Sequence, residues 1–388
     1  MTACIVGWAH SKFGKLEGET IESLIVRTGA DAIADAGLAP ADIDAIYVST
    51  LNAGMVRQEF ISSLALQIDP GLRFKPTTRV ENACASGSAA VHQGLNLIAA
   101  RRARRVLVIG VEKMTEVSGQ QVGDSLIRAS YLAEEGNIEG GFTGVFGRIT
   151  ELYFQRYGDK SAALARIAAK NHRNAMSNPL AQMRKDLGFD FCNTVSDKNP
   201  IVAGPLRRTD CSLVTDGAAA AVLADIDTAL GLKKAIVFRA AEQVNDFLPM
   251  SKRDIVAFDG PGLAWKQAFA NARLTIDDLD LVETHDCFTS AELIEYEAMG
   301  LTPAGQGARA IDEGWVEKGG KLPVNPSGGL KAKGHPIGAT GVSMHVLAAM
   351  QLTGTAGDMQ ITGAGLAGLF NMGGAAVANY VSILEALR

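Results

Sequence analysis

The chain has 388 residues, of which 47% are hydrophobic and 20% charged, with 42 glycines. That length and composition give two or three units or one large α/β body, and exclude a disordered chain. A net charge of -5 argues against a nucleic-acid surface or an anionic membrane as the main partner.

Ala3 to Trp8 reads as a first strand, entered too quickly for a signal peptide, and no apolar run reaches membrane-spanning length. The final E-A-L-R carries no sorting address, so a cytoplasmic protein is expected. Thr20 to Ala36 reads as a helix stopped by Gly37 and Pro40, and Asp44 to Ser49 as the next strand. Phe74 to Val80 ends an extended run that turns at Cys84 into a helix, with small and apolar residues at Ala85, Ala89, Leu95 and Ala99. A cysteine at a helix N-terminus meets unpaired N–H groups and the positive end of the dipole, which favour a thiolate. Taken alone, it is more often a small buried core residue. Arg101, Arg102, Arg104 and Arg105 follow and are expected to complement the negative end of that helix in solvent. After the strand V-L-V-I-G-V-E, the stretch from Met114 to Asp210 is too long for a plain loop and is predicted to be a mainly helical insert. The five cysteines, Cys4, Cys84, Cys192, Cys211 and Cys287, show no C-x-x-C spacing, which predicts a reduced compartment with neither zinc site nor disulfide frame.

The second part of the chain repeats the first. At a constant offset of about 236 positions, Ala32 falls on Ala268, Ala36 on Ala272, Leu38 on Leu274, Asp42 on Asp278, Ile43 on Leu279, Asp44 on Asp280 and Ile46 on Val282, a shared helix-turn-strand plan. A larger offset, set by an extra loop around Thr302 to Lys321, lays H-P-I-G-A-T-G-V from His335 on C-A-S-G-S-A-A-V from Cys84. Asp216 onward and Gly373 onward read as the two closing strands. Packing of the halves about a pseudo-twofold axis would bring the equivalent helix N-termini, and so Cys84 and His335, into one pocket. Strands alternating with helices predict an α/β class with mostly parallel sheets.

Four patches carry chemistry. Val324 to Gly341 is a glycine-rich loop with His335 just before Pro336, which suits a first helical position. Val282 to Glu292 ends a strand with His285, Asp286 and Cys287, at the strand tip where α/β sites form. Gly368 to Ala376 offers the backbone N–H groups of Gly373 and Gly374 to an oxyanion. Thr209 to Ala219 supplies Ser212 where the insert rejoins the core.

E-N-A-C-A-S-G, H-D-C-F, G-H-P-I-G-A-T-G and the closing G-G-A-A, in this order, resemble the thiolase family over essentially the whole chain. H-D-C-F and K-N-H-R-N-A-M-S-N-P-L-A-Q look like its sterol-carrier-protein-type and archaeal branch. The resemblance implies the five-layered αβαβα thiolase fold, built from two duplicated halves: residues 1–116 with 211–229, and 230–388. Residues 117–210 would form an inserted loop subdomain covering coenzyme A. It implies an acyl-CoA:acetyl-CoA C-acyltransferase that makes or cleaves 3-oxoacyl-CoA, with Cys84 as nucleophile and His335 as its base. His285 matches an asparagine that positions a water in one oxyanion hole, and Cys84 with Gly373 or Gly374 would form the other through backbone N–H groups. Ser212 matches a serine that contacts the pantetheine arm.

No metal or bound cofactor is expected, the partners being acyl-CoA and CoA and a second copy or copies of the chain, as a homodimer or homotetramer. One departure stands out: the family's second cysteine, in a C-x-G motif, is replaced by Asn371, Met372 and Gly373. Cys287 is then the candidate for proton transfer at the substrate α-carbon. The alternatives are a thiolase-like lyase or acyltransferase working with a small accessory subunit, and a non-catalytic acyl-CoA or lipid-binding module.

Overall fold

A computed structural model describes residues 3–387. The strands are β1 (Ala3–His10), β2 (Ala45–Ser49), β3 (Thr77–Val80), β4 (Arg105–Glu112), β5 (Ile201–Ala203), β6 (Leu206–Arg207), β7 (Gly217–Asp225), β8 (Ile236–Asn245), β9 (Leu281–Glu283), β10 (Leu366–Gly373) and β11 (Ala378–Ala386). Apart from the small β5–β6 hairpin, they form one sheet in the order β3-β2-β4-β7-β1-β8-β11-β10-β9.

The order is a duplication read outward from its centre. The first half runs β1-β7-β4-β2-β3 and the second β8-β11-β10-β9, and where β3 would lie beside β9, Val324 makes a parallel bridge to Val282. The equivalent edge strands β1 and β8 join the halves antiparallel, with Cys4 opposite Val237 and Ile5 opposite Ile236. Equivalent strands paired in that sense are related by a local twofold, so the pseudo-symmetry predicted from the repeat runs through this junction.

Side chains alternate across each strand, and this sorts the sheet into layers. Val106 and Val108 of β4, with Ala219, Ala221 and Leu223 of β7, face a central core shared with Leu281, Leu369 and Leu384 of the second half. Into it pack the helices Ser86–Ala99 and Ile337–Leu352, the latter buried on all sides except at Met350. Leu107, Ile109 and Val111 face outward onto the helix Ile21–Asp35, and the second half turns its outer face to Asp259–Ala272 and Thr289–Ala298. The result is αβαβα. The two central helices touch backbone to backbone: a side chain on Gly87 would come within 2.7 Å of the amide nitrogens of Gly341 and Val342.

Residues 114–210 carry the helices Gly119–Leu126, Gly141–Tyr157, Ser161–Ala175 and Gly188–Asn193 and the β5–β6 hairpin. Phe142, Phe146, Ile149, Tyr153 and Leu164 continue the outer core of the second half. Buried charge fixes the contact. Lys170 pairs with Glu292 and donates to the Val324 carbonyl at 2.8 Å, and Asn171 donates to Asp286 at 2.8 Å.

The sheet is not mostly parallel as expected: β2–β3, β2–β4 and β9–β10 pair parallel, whereas β1–β7, β1–β8, β4–β7, β8–β11 and β10–β11 pair antiparallel. Three local expectations also change. The G-G-A-A run is not a strand: β10 ends at Gly373, Gly374 turns with φ +63°, and the closing strand starts at Ala378, because small residues that fit a strand also fit a tight turn. Arg104 and Arg105 do not cap the Ser86–Ala99 helix; Arg104 bridges Asp225 at 2.7 Å, and Arg105 lies near Asp42 and Asp44. Pro336 is the residue before its helix rather than the first within it.

Candidate active site

Cys84 ends a tight turn rather than a smooth lead-in. Ala83 has φ +49°, which costs a side-chain-bearing residue about 1–2 kcal/mol. Ser86 holds it there: its hydroxyl accepts from the Asn82 amide at 2.8 Å and donates to the Ala83 carbonyl at 2.6 Å. A side chain at Gly373 would run into the Asn82 carbonyl, so glycine lets the tip of β10 lie against this turn. The N–H groups of Gly374 and of Cys84 itself hydrogen-bond the Cys84 sulfur, but burial, with Glu112 and Glu81 nearby, pushes the thiol up to about 12. Burial thus acts against the thiolate expected from the helix N-terminus and outweighs the donated hydrogen bonds.

His335 follows the Gly329–Lys333 turn, and its amide donates to Thr215 Oγ1 at 3.0 Å. Asp286 organises that turn by accepting from the Leu330 and Lys331 amides at 2.6 and 3.1 Å, so it serves the neighbouring loop rather than the pocket. His335 Nδ1 lies 2.7 Å from Thr340 Oγ1, and Nε2 has no partner. Burial and the Lys333 ammonium push His335 down to about 3, which keeps it neutral. His285, just past β9, is fully buried with its ring edge-on to His335 at 5.1 Å between centroids. Its Nδ1 meets Asn371 Nδ2 at 2.8 Å, and its Nε2 is unpartnered.

The Cys84 sulfur and a ring nitrogen of each histidine all lie within 4.8 Å of one another, a set that could also hold a soft metal ion. Next to them is a cavity of about 140 Å³ lined by Cys84, His335, Cys287, Ser212, Cys211 and Phe142, among others. Cys287 is held above the usual thiol range by burial and by Cys84, Glu295 and Asp286, and the Ser212 backbone N–H donates to the Cys287 carbonyl at 2.9 Å.

Duplication thus brings together Cys84, His335, His285, Cys287 and the Gly373–Gly374 tip. Three contributors escaped the sequence reading. Glu112 is buried at the end of β4, where it accepts from Thr50 Oγ1 and the Leu51 and Asn52 amides of the first half and from the Gly338 amide at 2.9 Å. It thereby pins the His335 helix across the pseudo-twofold. Thr340 orients His335, and Asn371 touches both His285 and, at 3.2 Å, the Cys84 carbonyl. A glutamate closing an apolar strand was the one available signal for Glu112.

Comparison with known proteins bears on this arrangement directly. Residues 3–227 match the family described as "Thiolase, N-terminal domain", and residues 242–386 match "Thiolase C-terminal domain-like". The chain belongs to the thiolase family. It is 38% identical to an acetyl-CoA acetyltransferase of Methanothermobacter thermautotrophicus over 95% of this chain and 96% of that one. It is 34% identical to human sterol carrier protein 2 over 95% of this chain and 69% of the human protein, consistent with the sterol-carrier-protein-type branch of the thiolases. Two solved structures share the thiolase fold. The Ltp2-ChsH2(DUF35) aldolase superposes with a TM-score of 0.84 at 22% identity, covering 100% of this chain and 98% of that one. An acetyl-CoA acetyltransferase from Syntrophomonas wolfei superposes with a TM-score of 0.72 at 19% identity, covering 99% of each. Among the described residues, no helix of this thiolase is long and apolar enough to cross a membrane.

The buried imidazoles also set the acid limit of the fold. Burial is the leading cause that pushes all six histidines down: His10, His92, His172 and His335 to about 3, His345 to about 4, and His285 well below its usual value. An unfolded chain protonates these groups as pH falls through 6.5, whereas the folded chain does not until far lower. Their contribution is therefore complete above 6.5 and lost below it, at about 1.4 kcal/mol per histidine per pH unit. Glu112, Glu283, Asp286 and Glu295 work in the opposite sense, because burial raises them and the folded chain holds their protons more tightly. The six imidazoles outnumber the four carboxyls opposing them, so stability is expected to fall as pH drops below 6.5. Calorimetry is expected to show Tm falling steadily from pH 7 to pH 5; a constant Tm over that interval would contradict the neutral burial of the imidazoles.

Proposed function

We propose that this thiolase is an acyl-CoA:acetyl-CoA C-acyltransferase, forming or cleaving 3-oxoacyl-CoA through an acyl group carried on Cys84. The observation that carries this is the convergence of the Cys84 sulfur and two neutral histidines within 4.8 Å of one another, beside a cavity that Cys84 lines while only 6% exposed.

Each proton in the course has a place to go. His335 Nε2 takes the Cys84 proton as the sulfur attacks the thioester carbonyl, and the N–H groups of Cys84 and Gly374 hold the oxyanion. The carbon–sulfur bond to CoA then breaks, and the departing CoA thiolate takes the Cys287 proton and leaves as CoA-SH. Cys287 remains as a thiolate whose raised pKa makes it a strong base. It removes a proton from the α-carbon of acetyl-CoA, and the resulting enolate attacks the acyl carbon. Cys84 leaves with the proton stored on His335, which returns every group to its starting state. In this course the chemistry runs on side chains and backbone donors, without a metal or bound cofactor.

Under the same proposal, residues 117–210 form the subdomain that covers coenzyme A, between halves spanning 1–116 with 211–229 and 230–388, and Ser212 contacts the pantetheine arm. A homodimer or homotetramer forms along β3, an open sheet edge near which Phe60 and Phe74 stand 78% and 86% exposed. Asn371 in place of the second cysteine favours one other reading, a thiolase-like lyase or acyltransferase working with a small accessory subunit. Mass spectrometry after incubation with acetyl-CoA is expected to find an acetyl group on the Cys84 peptide, with acetoacetyl-CoA in solution. Absence of any acyl adduct on Cys84 across a panel of acyl-CoAs would overturn the assignment.

A further inference from the structure

On the basis of the acyl-transfer course above, we propose that Asn371 is a positioning residue that fixes the proton of His285 on Nε2, so that the two active-site histidines are held in opposite tautomers. Asn371 is 1% exposed on β10 and stands where the family's second cysteine would be. Its Nδ2 lies 3.2 Å from the Cys84 carbonyl oxygen and 2.8 Å from His285 Nδ1. A carbonyl can only accept, so the group facing Cys84 is the NH₂ and the orientation of the amide is settled. The second N–H then donates to His285 Nδ1, which must be a lone pair. Since burial keeps His285 neutral, its proton is on Nε2.

His335 is set the other way. Thr340 Oγ1 lies 3.1 Å from the Pro336 carbonyl, and with its hydroxyl proton directed there it accepts from His335 Nδ1–H at 2.7 Å. Nε2 of His335 is left as a lone pair, suited to take the Cys84 proton. Nε2–H of His285, which has no protein partner, is suited to donate to a thioester or enolate oxygen. Two imidazoles 5.1 Å apart thus divide the work of base and donor. A proton on His285 Nε2 also denies that nitrogen to a metal ion.

Nitrogen-15 NMR of histidine-labelled protein tests this without turnover. The wild type is expected to show His285 protonated on Nε2 and His335 on Nδ1. Asn371→Asp offers only acceptors, so it should move the His285 proton to Nδ1, lower kcat for condensation by about 10²-fold, the scale of one lost oxyanion donor, and leave KM for acetyl-CoA within about threefold. Cys84 should still be acetylated. A wild-type His285 protonated on Nδ1 would overturn the proposal, and that measurement stands whether or not the variant folds. So would an Asn371→Asp protein with a displaced proton and unchanged kcat. Loss of Cys84 acetylation in the wild type would instead count against the acyltransferase assignment.

Discussion

Replacing His335 by alanine is expected to slow acetylation of Cys84 by two to four orders of magnitude, the range for a lost general base. The size follows from the state of the sulfur. With the thiol pushed up to about 12, on the order of 10⁻⁵ of the protein carries a thiolate at pH 7, so attack depends on a base that removes the proton as the bond forms. His335 is also held down to about 3, so its lone pair is available throughout the neutral range. The two enzymes should differ in pH profile. Wild-type acetylation should not fall between pH 8 and pH 6 through protonation of His335, whereas the His335→Ala rate should climb about tenfold per pH unit as hydroxide generates the thiolate. Rapid-quench mass spectrometry of the acetyl-enzyme measures both. A variant that acetylates at the normal rate would reduce His335 to a helix-terminal residue.

The duplication was legible because it is written in local terms. Ala32 to Ile46 and Ala268 to Val282 repeat a helix, a turn and a strand, and each sequence carries its own periodicity. Cys84 and His335 were legible for the same reason, as corresponding positions ahead of two glycine-rich helices. What was not legible depends on contacts between distant parts of the chain. Glu112 meets Gly338 across 226 positions and Asn371 meets Cys84 across 287, and neither partner can be read from the residues on either side. The protonation state of Cys84 belongs to this class too. A helix N-terminus can be read from sequence, whereas the depth of burial that reverses its effect is a property of the packed halves. The turn at Gly374 was missed because a run of small residues is compatible with strand and turn alike, and only a positive φ separates them.

Exchanging Cys287 for alanine is expected to separate the two half-reactions. Cys84 acetylation from acetyl-CoA needs Cys84, His335 and the N–H donors of Cys84 and Gly374, and a CoA thiolate can depart unprotonated, so this step should survive. Condensation needs a base at the acetyl α-carbon. Among the described residues lining the cavity, Cys287 is placed for that role, 4% exposed and close enough to Cys84 to feel the charge of its sulfur. Its raised pKa means that the thiolate, once formed by giving its proton to CoA, is more basic than an ordinary cysteine. Acetoacetyl-CoA formation should therefore fall by about two orders of magnitude or more in Cys287→Ala. A second measurement is independent of product formation: the wild type should exchange the methyl protons of acetyl-CoA for solvent deuterium, and the variant should not. Unchanged condensation and exchange would refute Cys287 as the base. If even the wild type acetylates Cys84 yet neither condenses nor cleaves a 3-oxoacyl-CoA, alone or with a small accessory subunit, Cys84 chemistry stands and the carbon–carbon bond step does not.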